Sequence, residues 1–320
     1  MTRGSVINIK SIWREQLTPL LLGVICLSVL SSRVNAQQIA DPHFNAKVDK
    51  PAYTKNFPRV LFDEAHNNFH TTTGRYKPFA ELLFNDGYHV AVNRKPFAKD
   101  SLQTYKILVI INALGAEEMD EEGADGPAFS GPESDAVRDW IKGGGALLLV
   151  AEYAPFGKAA DILAKRLGVD MSNGVTVDPG NAKQESKASS VIVFSRQNQL
   201  LTDHPINNGR DDSERLHRIL SFTGQSLKGP DGSDGFLKLS DSAVDNVLST
   251  TENRSAAGRA QGIAFRLGKG RVVVLGEAEM LTAQVTGSDN APMGINIPDT
   301  DNRQLTLNIM HWLSRLLRER

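Results

Sequence analysis

The chain has 320 residues, a formal net charge of −1, 40% apolar and 23% charged residues, and one cysteine. This ordinary globular composition excludes a collagen, a coiled coil, a wholly disordered chain and a multispan membrane protein. Near-neutral charge argues against a nucleic-acid partner, and a lone cysteine excludes an internal disulfide framework or a Cys-based zinc knuckle.

Residues 1–36 have the three-part pattern of a secretory signal. Lys10 and Arg14 precede the apolar run Leu17 to Leu30, and Ser31-Ser32-Arg33-Val34-Asn35-Ala36 follows. Cleavage is expected after Ala36. The run is short of the ~20 residues that cross a bilayer as a helix. An uncleaved anchor is the alternative, and Ile25 before Cys26 is too bulky for a lipoprotein box. The expected location is the periplasm or the cell exterior, with no membrane span after cleavage. Processing removes Arg3, Lys10, Arg14 and Arg33 against one acid, Glu15, and it removes the only thiol. The chain becomes more acidic and free of cysteine.

Residues 37–57 read as a polar leader, and one α/β domain is expected over 58–320. Arg59 to Phe62 reads as a strand, Tyr76 to Asn85 as a helix closed by Gly87, and Tyr88 to Val92 as a strand. Ile107 to Ile111 (ILVII) and Ala146 to Ala151 (ALLLVA) read as strands buried on both faces. Between them Pro132 to Lys142 is helical, ended by three glycines, and Phe156 to Leu167 forms the next helix. This alternation predicts a mostly parallel sheet with helices on both faces.

The second half is less regular. Val191 to Phe194 reads as a strand, Thr202 to Pro205 as a turn, and Arg215 to Phe222 as a strand or short helix. Residues 224–258 read as an irregular surface excursion with a hairpin near Phe236. Gly262 to Leu267 and Arg271 to Leu275 flank Gly268-Lys269-Gly270, a hairpin signal. Asn302 to Leu317 is an amphipathic helix with Asp301 as its expected N-cap.

In open α/β sheets ligands bind beyond the carboxyl ends of the strands. Polar residues collect there: Asp63-Glu64-Ala65-His66-Asn67-Asn68-Phe69-His70, then Asn93-Arg94, Asn112, Glu152-Tyr153 and Gly276-Glu277-Ala278-Glu279. One helical turn would put His66 and His70 on one face. With Glu152 or Glu277 they would offer a divalent metal two histidines and a carboxylate. The bland alternative is a polar loop that caps the following helix. Glu152 occupies the strand-to-helix turn where hydrolases and amidotransferases of this architecture carry a nucleophile. A carboxylate there serves as base or ligand, and without cysteine thiolate-dependent amide transfer is excluded. The acidic run Glu117 to Asp125 reads as a solvated loop rather than a calcium site. The Gly/Asn/Pro-rich segment Thr286 to Thr300 reads as either a lid over the carboxyl-end crevice or a passive connection. His204, His217 and His311 read as structural.

Taken together, VLFDEAHNNFHT, GGGALLLVAEYAPFGKAADILAKRLGV, GEAEMLTAQ and DNRQLTLNIMHWLSRLL resemble a bacterial domain-of-unknown-function family, number 4350. That family is similar in fold to the class I glutamine amidotransferase-like superfamily, with gliding-motility transporter components and intraflagellar transport proteins among its relatives. The resemblance spans roughly 58–170 and 260–318. It implies a flavodoxin-like three-layer sandwich, with the C-terminal hairpin and helix appended and the amidotransferase triad absent. It carries over Asp63, Glu64, His66, Asn67, Asn68, Glu152, Glu277 and Gln284 as site positions. Tyr153 departs from it, since a histidine is expected at that turn.

Three functions follow as expectations. The first is an exported domain binding a small polar ligand, such as a sugar, through Asp63, Asn67, Asn68, Tyr153, Glu277 and Gln284. The second is a hydrolase with Glu64 or Glu152 as base, His66 as acid, and a metal held by His66, His70 and Glu152. The third is a noncatalytic scaffold for a protein partner.

Overall fold

A computed structural model of the chain describes residues 38–318, apart from 184–189, 249, 251 and 288. The expected signal, its cleavage site and Cys26 lie outside the described residues. By internal contacts the chain divides after Gln37, and the second unit carries the α/β fold.

The central sheet begins with five parallel strands. In spatial order they are His89–Asn93, Arg59–Asp63, Ile107–Ile111, Ala146–Val150 and Gly270–Leu275. Ile107–Ile111 and Ala146–Val150 are buried at every position, which explains their unbroken apolar sequence. Alternate side chains serve two cores. Phe62, Val109, Ile111, Leu148, Val150 and Val273 pack with Phe79 and Leu83 of helix Lys77–Asn85 and Ile309 of helix Asn302–Leu313. Leu61, Leu108, Ile110, Leu147 and Leu149 pack on the other face with Val137 of helix Gly131–Lys142 and Leu163 of helix Asp161–Arg166. The fold is mixed α/β with a mainly parallel central sheet covered on both faces.

The hairpin Ala260–Leu267 to Gly270–Leu275 forms in the register Leu267↔Gly270, as its glycines predict. It reverses the sheet direction, because Ala260–Leu267 is antiparallel to its neighbour.

Four expectations change. Part of the expected excursion at 224–258 belongs to the sheet, because Leu227–Lys228 and Asp234–Lys238 both pair with Ala260–Leu267 and bury Leu227, Phe236 and Leu237, while strand Asn253–Ser255 is exposed. The leader is docked: Ile39–Ala40 pairs with Ala283–Thr286, and Phe44 and Val48 pack against Leu82, Ala283 and Leu307. Part of the 286–300 segment is strand Ala291–Gly294 on the other edge of Ala283–Thr286, rather than a loose lid. Asp301 occupies the N-cap position as expected, but its side chain makes no capping bond, because its Oδ2 accepts from the backbone N–H of His217 at 2.6 Å and of Arg218 at 2.9 Å.

No helix among the described residues is long and apolar enough to cross a membrane. The acidic run 117–125 is mostly exposed, and Asp125 pairs with Lys158 at 2.9 Å.

Candidate functional site

At the carboxyl end of the sheet, two of the five parallel strands end on Asp63 and Asn93, Asn112 follows Ile111 directly, and Glu152 and Glu277 each lie two residues beyond their strands. Residues 64–74 are not helical, so His66 and His70 do not share a helical face. Asn67 takes a positive φ of 48°, and the chain turns back on the strand ends. Leu114 N–H donates to the His66 carbonyl and Phe69 N–H to the Asn112 carbonyl, both at 3.0 Å. The two histidines therefore enter separate clusters.

The first cluster is centred on His66. Its Nδ1 lies 2.7 Å from Oδ2 of Asp63 and its Nε2 lies 2.9 Å from Oε1 of Glu133. The imidazole is wedged between Phe97 and Phe129, both at 4.7 Å between ring centroids. Burial opposes its charge, but Asp63 and Glu133 more than offset this and raise its pKa. Glu133 is the N3 residue of a capping box with Ser130 at the start of helix Gly131–Lys142. Burial would raise its pKa, yet hydrogen bonds from Ser130, His66 and the backbone pull it down to about 2. With both ring nitrogens engaged by carboxylates, His66 has no lone pair for a metal and does not join His70 and Glu152.

Other positions singled out in the sequence are committed elsewhere. Oε1 of Glu64 accepts from the backbone N–H and hydroxyl of Thr72 at 2.8 and 2.7 Å, and Arg94 pairs with its Oε2 at 3.2 Å. Asn68 donates to the Ile111 carbonyl at 3.2 Å and accepts from His66 N–H at 3.1 Å. Asn67 is exposed. Gln284 is fully buried on a strand between Ile39–Ala40 and Ala291–Gly294, and neither of its amide atoms has a hydrogen-bond partner.

The second cluster gathers His70, Glu152, Glu277 and Glu279. One ligand atom from each of His70, Glu152 and Glu279 lies within 4.8 Å of the other two. His70 is 0% exposed and neither ring nitrogen has a hydrogen-bond partner, although Nε2 is 3.8 Å from Oε1 of Glu279. Burial holds the His70 pKa down to about 4, with Glu279 opposing and Arg75 assisting, so the ring is neutral at neutral pH. Glu277 accepts from the backbone N–H of Glu279 and of Met280, both at 2.9 Å. This holds the short turn that aims Glu279 inward. Burial and the charge of Glu279 raise the pKa of both Glu152 and Glu277. Asn112, Tyr76 and Tyr153 surround the carboxylates. Tyr76 donates to the Ala278 carbonyl at 2.6 Å, and its ring lies 4.9 Å from that of His70. Tyr153 is half-buried, and desolvation and the charges of Glu152 and Glu279 raise its pKa.

Residue pattern alone points to His70, Glu152, Tyr153 and Glu277 but gives no role to Glu279 or Glu133. Glu279 stands in the Gly-Glu-Ala-Glu run at a strand end. Glu133 carries only a capping-box signal. Among the remaining histidines, His204 accepts from Ile206 N–H at 3.1 Å, and buried His311 bonds Asp86 at 2.8 Å. His217 is exposed and lies 3.8 Å from Asp301.

No family model matches the chain, and no curated protein matches it. Solved structures do. The N-terminal domain of mmIFT52 is 14% identical, with 80% of this chain and 97% of that one covered at a TM-score of 0.57. The two therefore share a fold. Further matches are a ThuA-like protein from Bacteroides uniformis (14% identity, 85% and 95% covered, TM-score 0.42) and a GMP synthase-type protein from Thermoplasma acidophilum (13%, 81% and 96%, TM-score 0.41).

Proposed function

We propose that the chain is an exported α/β domain that holds a divalent transition-metal ion between His70, Glu152 and Glu279, and uses it to bind a small polar ligand. The observation carrying this reading is His70. A buried imidazole that makes no hydrogen bond loses its hydration without recompense unless something else takes its lone pair. A neutral ring beside two carboxylates supplies a nitrogen and two oxygens, a set that suits zinc, manganese or iron. Metal–ligand bonds of about 2.0–2.2 Å place ligand atoms roughly 3–4 Å apart, so only a small contraction is needed. A dication would also let Glu152, whose pKa burial and Glu279 raise, ionise beside Glu279, because it compensates two charges that are otherwise costly to bury together.

Binding is favoured over hydrolysis because one suggested base, Glu64, is held by Thr72 and Arg94, the suggested acid, His66, bridges Asp63 and Glu133, and the other suggested base, Glu152, is a ligand of the ion in this reading. Tyr153, half-buried beside the buried carboxylates, marks the side from which a ligand would approach the ion. Export rests on the signal pattern of residues 1–36. We further infer a flavodoxin-like sandwich of the amidotransferase-like superfamily, within the family 4350 resemblance. The two-faced parallel sheet and the shared fold of the mmIFT52 domain support it.

The test is metal analysis of protein purified without a polyhistidine tag. One equivalent of a divalent ion is expected, with a Tm that falls in chelator and recovers on adding the ion. Glu279→Gln, which keeps shape, should lose the ion while remaining folded. Protein that retains no ion, and whose Tm is indifferent to chelator, zinc and manganese, would overturn the reading. With the ion loaded, a panel of sugars should raise the Tm further, and a panel without effect would remove the ligand from the proposal.

A further inference from the structure

The opposite end of the same sheet carries a cavity. Arg59 opens the first strand, Lys106 precedes Ile107, Gly145 precedes Ala146, and Lys269 precedes Gly270. These amino-terminal ends, with Trp140, line a cavity of about 810 Å³. That lies within the usual range for small-molecule sites.

Its charge is one-sided. Arg59, Lys99, Lys106, Lys269 and Arg315 line it, against a single acid, Asp139. Asp139 is already held by Arg138 at 2.8 Å. Arg59, Lys99, Lys106 and Lys269 form no ion pair among the described residues. Cations gathered in a concavity raise the local positive potential and repel one another until an anion enters.

The walls are held in place. The Arg59 guanidinium lies over the Tyr105 ring, 4.6 Å from its centroid. Lys106 N–H donates to the Arg59 carbonyl at 2.9 Å, and Ala146 N–H to the Lys106 carbonyl at 3.1 Å. Arg315 donates to the carbonyls of Gly144 and Lys269, joining the two glycine turns that floor the cavity. The Trp140 indole sits directly on Gly145, where a Cβ would come within 2.4 Å of the ring. The cavity thus offers positive charge and two aromatic side chains, a pairing suited to a phosphate joined to a flat ring.

We propose that the amino-terminal ends of the parallel strands form a second binding site, for a small phosphorylated compound that carries a flat ring. The site lies at the opposite end of the sheet from His70 and does not depend on the metal. AMP is the probe, because its base and phosphate supply both features, and Trp140 is the reporter. Full-length protein, excited at 295 nm, should show saturable quenching by AMP, weakening steeply with salt. Lys106→Glu with Lys269→Glu, both exposed positions, should weaken it at least tenfold, and Trp140→Phe should abolish the quenching. Inorganic phosphate should bind more weakly than AMP. The proposal is overturned by quenching that does not saturate in the millimolar range. It is equally overturned by an unchanged affinity in the double variant, or by an equal loss on reversing Lys228, outside the cavity. Phosphate as tight as AMP would remove the ring from the proposal.

Discussion

Asn112 grips Glu152 by both ends: its Nδ2 donates to Oε2 at 2.6 Å, and its Oδ1 accepts from the Glu152 backbone N–H at 3.1 Å. Asn112 does this at a positive φ of 44°, a region open to asparagine and glycine and strained for most other residues. Asn112→Gly keeps that conformation and deletes the grip. Denaturant unfolding should show a loss of about 1–3 kcal/mol, the cost of stranding a buried polar partner. An unchanged midpoint would mean that water replaces the amide without penalty.

His66 and Glu133 make stability depend on pH from both sides. The folded His66 pKa is raised, so its contribution is complete below its ordinary value of 6.5 and is lost as pH rises through the folded value. The folded Glu133 pKa is lowered to about 2 from 4.5, so its contribution is complete above 4.5 and is lost as pH falls toward 2. Glu133→Gln preserves the capping box and removes the charge. The stability difference between wild type and this variant should be greatest between about pH 4.5 and 6.5 and shrink on either side. Unfolding titrations across that range check it, and a difference constant with pH would contradict it.

Gly276 carries no side chain because there is no room for one. A Cβ there would stand 2.1 Å from the Gln225 carbonyl oxygen. Gln225 in turn donates through Nε2 to the carbonyls of Ala151 at 2.8 Å and Glu152 at 2.9 Å. Gly276→Ala should push the Glu277 turn away from the Glu152 turn, costing about 1–3 kcal/mol as other overpacked sites do. It should also weaken ion retention, and metal analysis beside thermal unfolding reads both effects.

Tyr76→Phe isolates one hydrogen bond. The ring stays against Phe62, Phe79 and His70, while the bond to the Ala278 carbonyl is lost. A loss of about 0.5–1.5 kcal/mol is expected, and more if the carbonyl is left without water. Chemical denaturation measures it directly.

The parts of the fold legible in the sequence are those where one residue type fills a whole element. Ile107–Ile111 and Ala146–Val150 are apolar at every position because both faces are covered. Phe236 and Leu237 are equally buried but stand between Gly235 and Lys238, and register shifts on either side of Leu237 break the alternation that marks a strand. The strand-end rule located Asp63, Asn112, Glu152 and Glu277 at the carboxyl end of the sheet. It could not pair them, because the 64–74 backbone, not residue spacing, decides that His66 meets Glu133 and His70 meets Glu279. Of the two partners of His66, Asp63 is local, but Glu133 stands 67 residues away, a separation that no local pattern encodes.

The sheet order also constrains when the carboxylate site can exist. Gly270–Leu275 is the strand on the far side of Ala146–Val150 from Ile107–Ile111, so the second partner of that strand is made more than a hundred residues later. Until it arrives, Ala146–Val150 is a bare apolar edge, and His70 and Glu152 have no Glu279 to face. A chain interrupted before residue 279 would carry most of the parallel sheet but an incomplete ion site. In the proposed reading, retention of the ion would therefore report on whether a molecule has been finished, and unfinished molecules are the ones with an open edge for aggregation.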